Sequence, residues 1–289
     1  MYKLYMEFEN PTLALTGKKE SVQGFTVCGD TAVVLYHTGV CALYNLRTRS
    51  PQPVGVCRLG SYNNGDPDNR YTNHANDVVC GAVLPGETFP LLYVTAGNSG
   101  ECDEKGYISY CAVEQLHQNG DSLTAETLQK IYYRHEENSD FAAPGWGWPA
   151  ALPDAENGWY YLLSARYRTR RDMARPDNAY IVTKFHLPDP TAGDVTLTPK
   201  DIVEQFTLPF HIFFTQGGTV KDGTIWYTFG CGNEAHPNTL CAIDPVKKDY
   251  LLEEDLSSTP FGNDEVECCA FWNGRLLLNT QSGKIYEKV

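Results

Sequence analysis

Short runs rich in Val, Ile, Leu, Tyr and Phe recur along the chain between clusters of Gly, Asn, Asp and Pro. No stretch sustains the i, i+3, i+4 spacing of an amphipathic helix, so the pattern predicts an all-β protein. The clearest unit is a strand, a tight polar turn and a second, aromatic-rich strand. It occurs as QGFTVCGDTAVVLYH from Gln23, as TQGGTVKDGTIWYTF from Thr215 and as ECCAFWNGRLLLNT from Glu267, where Asn273-Gly274 is a strong hairpin signal. Looser copies start near Asn76 and Trp148, which makes five. Each pair is followed by a third strand-like run: VCALYNL, YISYCAV, AYIVTKF, TLCAIDP and KIYEKV. Four units then have a fourth: PVGVCRL, TLQKIYYR, DIVEQFTL and LLEEDL. The fifth unit lacks one, and the run LYMEF near Leu4 has no other place in the count.

Four-stranded units repeated radially, with the two chain ends paired, describe a β-propeller, which hides its sheet edges. The expectation is a five-bladed β-propeller of four-stranded antiparallel blades. The N-terminal strand completes the C-terminal blade, and residues 1–289 form one domain. A β-sandwich offers no reason for one strand order to recur five times.

In such a ring the connections entering each innermost strand share one face with the loops between second and third strands. Long polar insertions fall on that face: SYNNGDPDNRYTNHA, HEENSDFAAPGWG and SSTPFGNDEV. Counting back eight residues from the start of the second strand gives Gln23, Gln216 and Glu267 in units one, four and five. Insertions blur the register elsewhere, where His74, Asn76 and Asp77, or Trp146 and Trp148, lie nearest. Amide, carboxylate, imidazole and indole around one mouth suit a small polar ligand such as a sugar, with Trp146 and Trp148 stacking. The same groups also serve simply to solvate a narrow channel. Asp77 and Glu267 are the candidate carboxylate pair for glycoside hydrolysis, with Glu265 beside them. The other class that fits is a non-catalytic scaffold binding a protein partner through its loops.

Composition narrows the partners. A formal net charge of -13 repels phosphate backbones and anionic membranes, so neither nucleic acid nor a membrane surface is an expected partner. No run has the length of a membrane span and the first residues have no signal-like apolar region, so a cytoplasmic location is expected. The ten cysteines lack C-x-x-C spacing and mostly sit inside apolar runs, which predicts reduced core thiols and no metal. Cys268 and Cys269 should point to opposite faces of one strand. Asp66 and Asp68 in NNGDPDN read as a plain turn rather than a calcium loop. No cofactor motif is present. One basic stretch stands out, SARYRTRRDMARPDN, with five of the chain's eleven arginines. Alternation sets Arg166 and Arg168 on one face, either to clamp an anion or as a solvated hairpin neutralised by acidic loops.

With its repeats placed, the chain resembles bacterial five-bladed propellers of uncharacterised activity. The segment Asp222-Gly223-Thr224-Ile225-Trp226 is similar to the Asp box of sialidases, S-x-D-x-G-x-T-W, one residue shorter. That resemblance implies a sialidase-like (neuraminidase-like) carbohydrate-active propeller. Arabinanase-like propellers are similar in architecture, but they open a blade with Asp-Pro where this chain has Gln23-Gly24, so their catalytic set does not transfer.

Overall fold

The computed structural model describes residues 1–62, 74–97, 109–134, 147–167, 175–210, 212, 214–258 and 260–289. Strand β1 (Tyr2–Glu7) precedes a five-residue helix, α1 (Thr12–Thr16). Blade one follows as β2 (Val22–Cys28), β3 (Thr31–Tyr36), β4 (Val40–Asn45) and β5 (Gly55–Arg58). Blade two is β6 (His74–Val83), β7 (Pro90–Gly97), β8 (Ser109–Asn119) and β9 (Ser122–Tyr133). Blade three starts with β10 (Gly147–Asp154), β11 (Trp159–Ala165) and β12 (Ala179–His186). The chain then forms β13 (Val195–Leu197) before the outer strand of blade three, β14 (Glu204–Pro209). Blade four is β15 (Thr215–Lys221), β16 (Thr224–Phe229), β17 (Thr239–Asp244) and β18 (Asp249–Asp255). Blade five is β19 (Val266–Trp272), β20 (Arg275–Thr280) and β21 (Lys284–Lys288). Among the described residues no helix is long and apolar enough to cross a membrane.

Each blade is an antiparallel sheet in chain order, and β1 lies antiparallel on β21, pairing Tyr2 with Lys288 and Glu7 with Lys284. The ring is therefore sealed by the two ends of the chain, as the leftover run LYMEF implied. The strand count departs from expectation once. β13 pairs in parallel with β9 and gives blade two a fifth strand. Leu197 on it packs with Ile131, Tyr133 and Phe185 at the seam between blades two and three, which explains why a short segment between β12 and β14 covers a neighbouring blade.

Each blade is buried on both faces, so its strands read as continuous apolar runs rather than alternating ones; β3 is buried at every position after Thr31. Alternation survives as a choice between two interfaces. Cys268 faces blade one with Phe25 and Trp272, whereas Cys269 faces blade four with Leu240 and Leu278. Likewise Tyr160 joins the cluster against blade two and Tyr161 the cluster against blade four. Five apolar clusters thus fill the five seams between blades. The cysteine expectation needs one correction: Cys28 at the end of β2 and Cys80 on β6 form a disulfide that joins the inner strands of blades one and two. The two lie where adjacent inner strands converge, and spacing along the chain carries no sign of that proximity.

Candidate functional site

The inner strands β2, β6, β10, β15 and β19 pack side by side around the axis. Every one of them carries a register shift near its start. The shifts fall between Val22 and Gly24, Ala75 and Asp77, Gly147 and Ala150, Thr215 and Gly218, and Val266 and Cys268. A bulge leaves the extra residue out of the ladder and re-aims its side chain. The residues left out are Gln23 in blade one, Asn76 in blade two, Trp148 and Pro149 in blade three, Gln216 and Gly217 in blade four, and Glu267 in blade five. Polar residues fall at this repeated irregularity because their side chains leave the seams between blades and turn towards the axis.

Four of those side chains, from Gln23, Asn76, Gln216 and Glu267, line one basin of approximately 420 Å³ at the mouth of the ring. His74 and Glu265, also expected there, line it too. His37, Phe214, Cys231 and Gln281 complete much of the wall and were not foreseen, since each lies on a loop whose position follows only from the closed ring. Phe214 carries a partial signal of its own: it adopts a left-handed backbone, φ 64°, directly before β15, where a bulky residue is an outlier. Trp146 and Arg168 lie outside the described residues, as do the Asp66–Asp68 turn and most of the two longest insertions. Of Trp148 only the backbone register is described.

Asp77, the other candidate carboxylate, does not line this basin: the bulge at Asn76 sets it one register step further along β6, where it is wholly buried. The first paired residues below the bulges are Gly24, Asp77, Ala150, Gly218 and Cys268, one from each blade. The Asp77 carboxyl accepts from the backbone N–H of Val78 at 2.7 Å, from that of Gly218 at 2.9 Å and from the Cys268 thiol at 3.2 Å. A Cβ at Gly24 would stand 3.1 Å from the Asp77 backbone, and one at Gly217 would stand 2.7 Å from its Oδ1. Glycine in blades one and four therefore makes room for Asp77, whose carboxyl ties blade two to blades four and five. Burial pushes the Asp77 pKa up to about 7, outweighing the three donors.

The basin is acidic and amide-rich. Glu265 accepts from the Gln216 amide, from Gln281 Nε2 at 3.1 Å and from the Cys231 thiol, and burial raises its pKa. Glu267 is only 3% exposed, and its Oε1 has no hydrogen-bond partner. Burial, and then the charge of Glu265, hold its carboxyl well above the ordinary range. Gln23 donates to Val22 O, so its Oε1 accepts the Nε2–H of His74. Burial and the neighbouring His37 lower the His74 pKa to about 4, leaving a neutral imidazole at physiological pH. No lysine or arginine lines the basin among the described residues. No group of His, Cys, Asp and Glu among them is arranged to hold a metal ion.

Arg166, just beyond the end of β11, donates to the Asp177 carbonyl. The Asp177 carboxylate also takes Arg175 at 3.0 Å and the Tyr167 hydroxyl. The Arg175 pairing lowers the Asp177 pKa to about 2. Of the two described arginines of the basic stretch, Arg175 is thus paired with a carboxylate of its own loop, and Arg166 is tied to a backbone carbonyl there.

No family model matches the sequence, and no curated protein matches it. Among solved structures the chain is similar to the glutaminyl cyclase of Myxococcus xanthus, with a TM-score of 0.51 and 16% identity. The match covers 99% of this chain and 94% of that one. At that identity the likeness extends to the propeller architecture alone.

Proposed function

We propose that the protein binds a small polar ligand at the axial mouth and recognises it through hydrogen-bond donors presented to Glu267. The observation that carries this is the buried Oε1 of Glu267, which lies in the basin wall without a partner. An unsatisfied buried polar atom costs about 1–3 kcal/mol, which a ligand donor would recover. The remaining wall supplies amides from Gln23, Asn76, Gln216 and Gln281 and one apolar ring, Phe214. That mixture suits a neutral, hydroxyl-rich molecule, and a sugar derivative is the first class to try. The solved neighbour bears the name glutaminyl cyclase, and a glutaminyl group offers donors to the same acceptors. Peptides carrying one form the second class. An anionic ligand is disfavoured, because no lysine or arginine among the described residues lines the basin to pair with it. Any hydrolytic role falls to Glu265 and Glu267, since Asp77 is wholly buried and does not line the basin.

The test is a thermal-shift screen of the purified protein against neutral sugars, amino sugars, acidic sugars and glutaminyl peptides. A ligand at a hundredfold excess over Kd adds about 2.7 kcal/mol of stability by mass action. A neutral or cationic ligand should raise Tm, and Glu267→Gln should remove most of the rise. Failure of every ligand, or equal shifts in the variant, would overturn the proposal and leave a loop-face protein partner as the better account.

A further inference from the structure

The side-chain amides of the mouth are oriented by their partners. Gln216 Nε2 gives one N–H to Gly230 O at 2.6 Å and the other to Glu265, so both of its donors are used inside the wall. Gln281 spends its amide in the same way, on Glu265 Oε2 at 3.1 Å and on the Glu267 carboxyl. Asn76 Nδ2 donates to Gln216 O at 3.3 Å. Backbone carbonyls only accept, so the oxygen and nitrogen of Gln216 and of Asn76 cannot be exchanged. Three amide oxygens are left over, Asn76 Oδ1, Gln216 Oε1 and Gln281 Oε1, and none accepts a hydrogen bond from a described residue. All three side chains line the basin. Gln216 is only 9% exposed, so the basin is where its unpartnered oxygen meets solvent or ligand. The three are also neighbours: Gln216 and Gln281 bracket the Glu265 carboxyl, and Asn76 is bonded to the Gln216 backbone.

We propose that the ligand of this mouth carries a primary ammonium group, seated among the amide oxygens of Asn76, Gln216 and Gln281 beside the Glu265 carboxyl. The inference rests on the ligand reading above and names the group by which the ligand is recognised. An ammonium has three donors and no acceptor, which is the complement of three acceptors whose own donors are spent. A hydroxyl in the same place donates once and sets its lone pairs against the remaining oxygens. The hydrogen bonds of an ammonium are also charge-assisted, which makes them the stronger kind. The formal net charge of -13 gives a field that draws cations to the surface rather than anions. Recognition of this kind needs no charge on Glu267, whose carboxyl is held by Gln281 and by burial.

The experiment is a calorimetric titration of the purified protein at about pH 6, where the amines are charged. Glucosamine, glucose and N-acetylglucosamine form one series; cyclohexylamine, cyclohexanol and cyclohexyltrimethylammonium form the other and take the head group off the sugar scaffold. Each amine should bind about tenfold tighter than its alcohol, the gain of charge-assisted over neutral hydrogen bonds. The N-acetyl form, which has lost the charge, and the trimethyl form, which keeps the charge without an N–H, should both lose that gain. Gln281→Met removes one of the three oxygens at an exposed position, and should shrink the preference for amine over alcohol while leaving Tm unchanged. Equal affinity for amine and alcohol, or for amine and trimethyl form, would overturn the proposal, as would an undiminished preference in Gln281→Met. A neutral ligand that binds in the screen beside silent amines condemns the ammonium and leaves the ligand reading standing. Silence of these probes and of the whole screen removes the ligand reading, and this inference with it.

Discussion

Asp77 and Glu267 differ by one step of strand register, and that step gives the two carboxyls opposite surroundings. Glu267 is a bulge residue turned to the basin, whereas Asp77 is the first residue back in the ladder and is wholly buried. The folded protein keeps the Asp77 proton up to about pH 7, whereas the unfolded chain releases it near the ordinary value of 3.8. Between those values the native state holds a proton the unfolded state lacks, so this carboxyl contributes stability below about pH 4 that is lost as pH rises through 7. Asp77→Asn cannot lose that proton. The variant should be less stable overall, because its amide cannot accept from both Val78 and Gly218, by about 1–3 kcal/mol. Urea titrations across pH 4 to 8 should nevertheless show wild type losing stability relative to the variant as pH rises; parallel pH profiles would refute the assignment. Gln23, Gln216 and Glu267 were legible because their blades have tight hairpins, which keep a constant distance from bulge to second strand. Blade two adds a second irregularity between Cys80 and Val83 and a longer turn, so the same count does not separate Asn76 from Asp77.

At the scale of elements, the five inner strands and the hairpins built on them follow from turn chemistry and apolar runs alone. The bulges do not, since each is a property of two paired strands and one strand's sequence carries no mark of it. The same limit hid β13, three residues whose partner is the outer strand of the preceding blade, and the disulfide from β2 to β6. That disulfide closes a sequence separation of 52 residues. Loop-closure entropy for that length gives roughly 4 kcal/mol as an upper value, with 2–4 kcal/mol typical. A Cys28→Ser/Cys80→Ser double variant should unfold at lower denaturant by that margin. Wild type under reducing conditions should match it, and a midpoint unaffected by reductant would contradict the cross-link.

For the molecule as a whole, closure is carried by β1. It covers β21, and with Phe8 just beyond it brings Tyr2, Tyr5 and Met6 into the seams on both sides of blade five. Deleting residues 1–8 removes four buried apolar side chains and uncovers the edge of β21. The truncated chain should aggregate or lose cooperative unfolding by circular dichroism and size exclusion, and a monomer with unchanged Tm would rule out end-to-end sealing. The polar side chains turned out of the ladders by the bulges line the basin at the mouth, which is why ligand recognition is assigned to that end. The opposite end of the inner strands holds a mostly apolar cavity of approximately 490 Å³ beside Cys28, Cys80 and Phe89, chemically unlike the mouth. The most direct measurement is a crystal structure with the best thermal-shift ligand soaked in. It should lie in the mouth with a donor within hydrogen-bonding distance of Glu267 Oε1; a ligand in the apolar cavity, or on the loops with Glu267 untouched, would contradict the account.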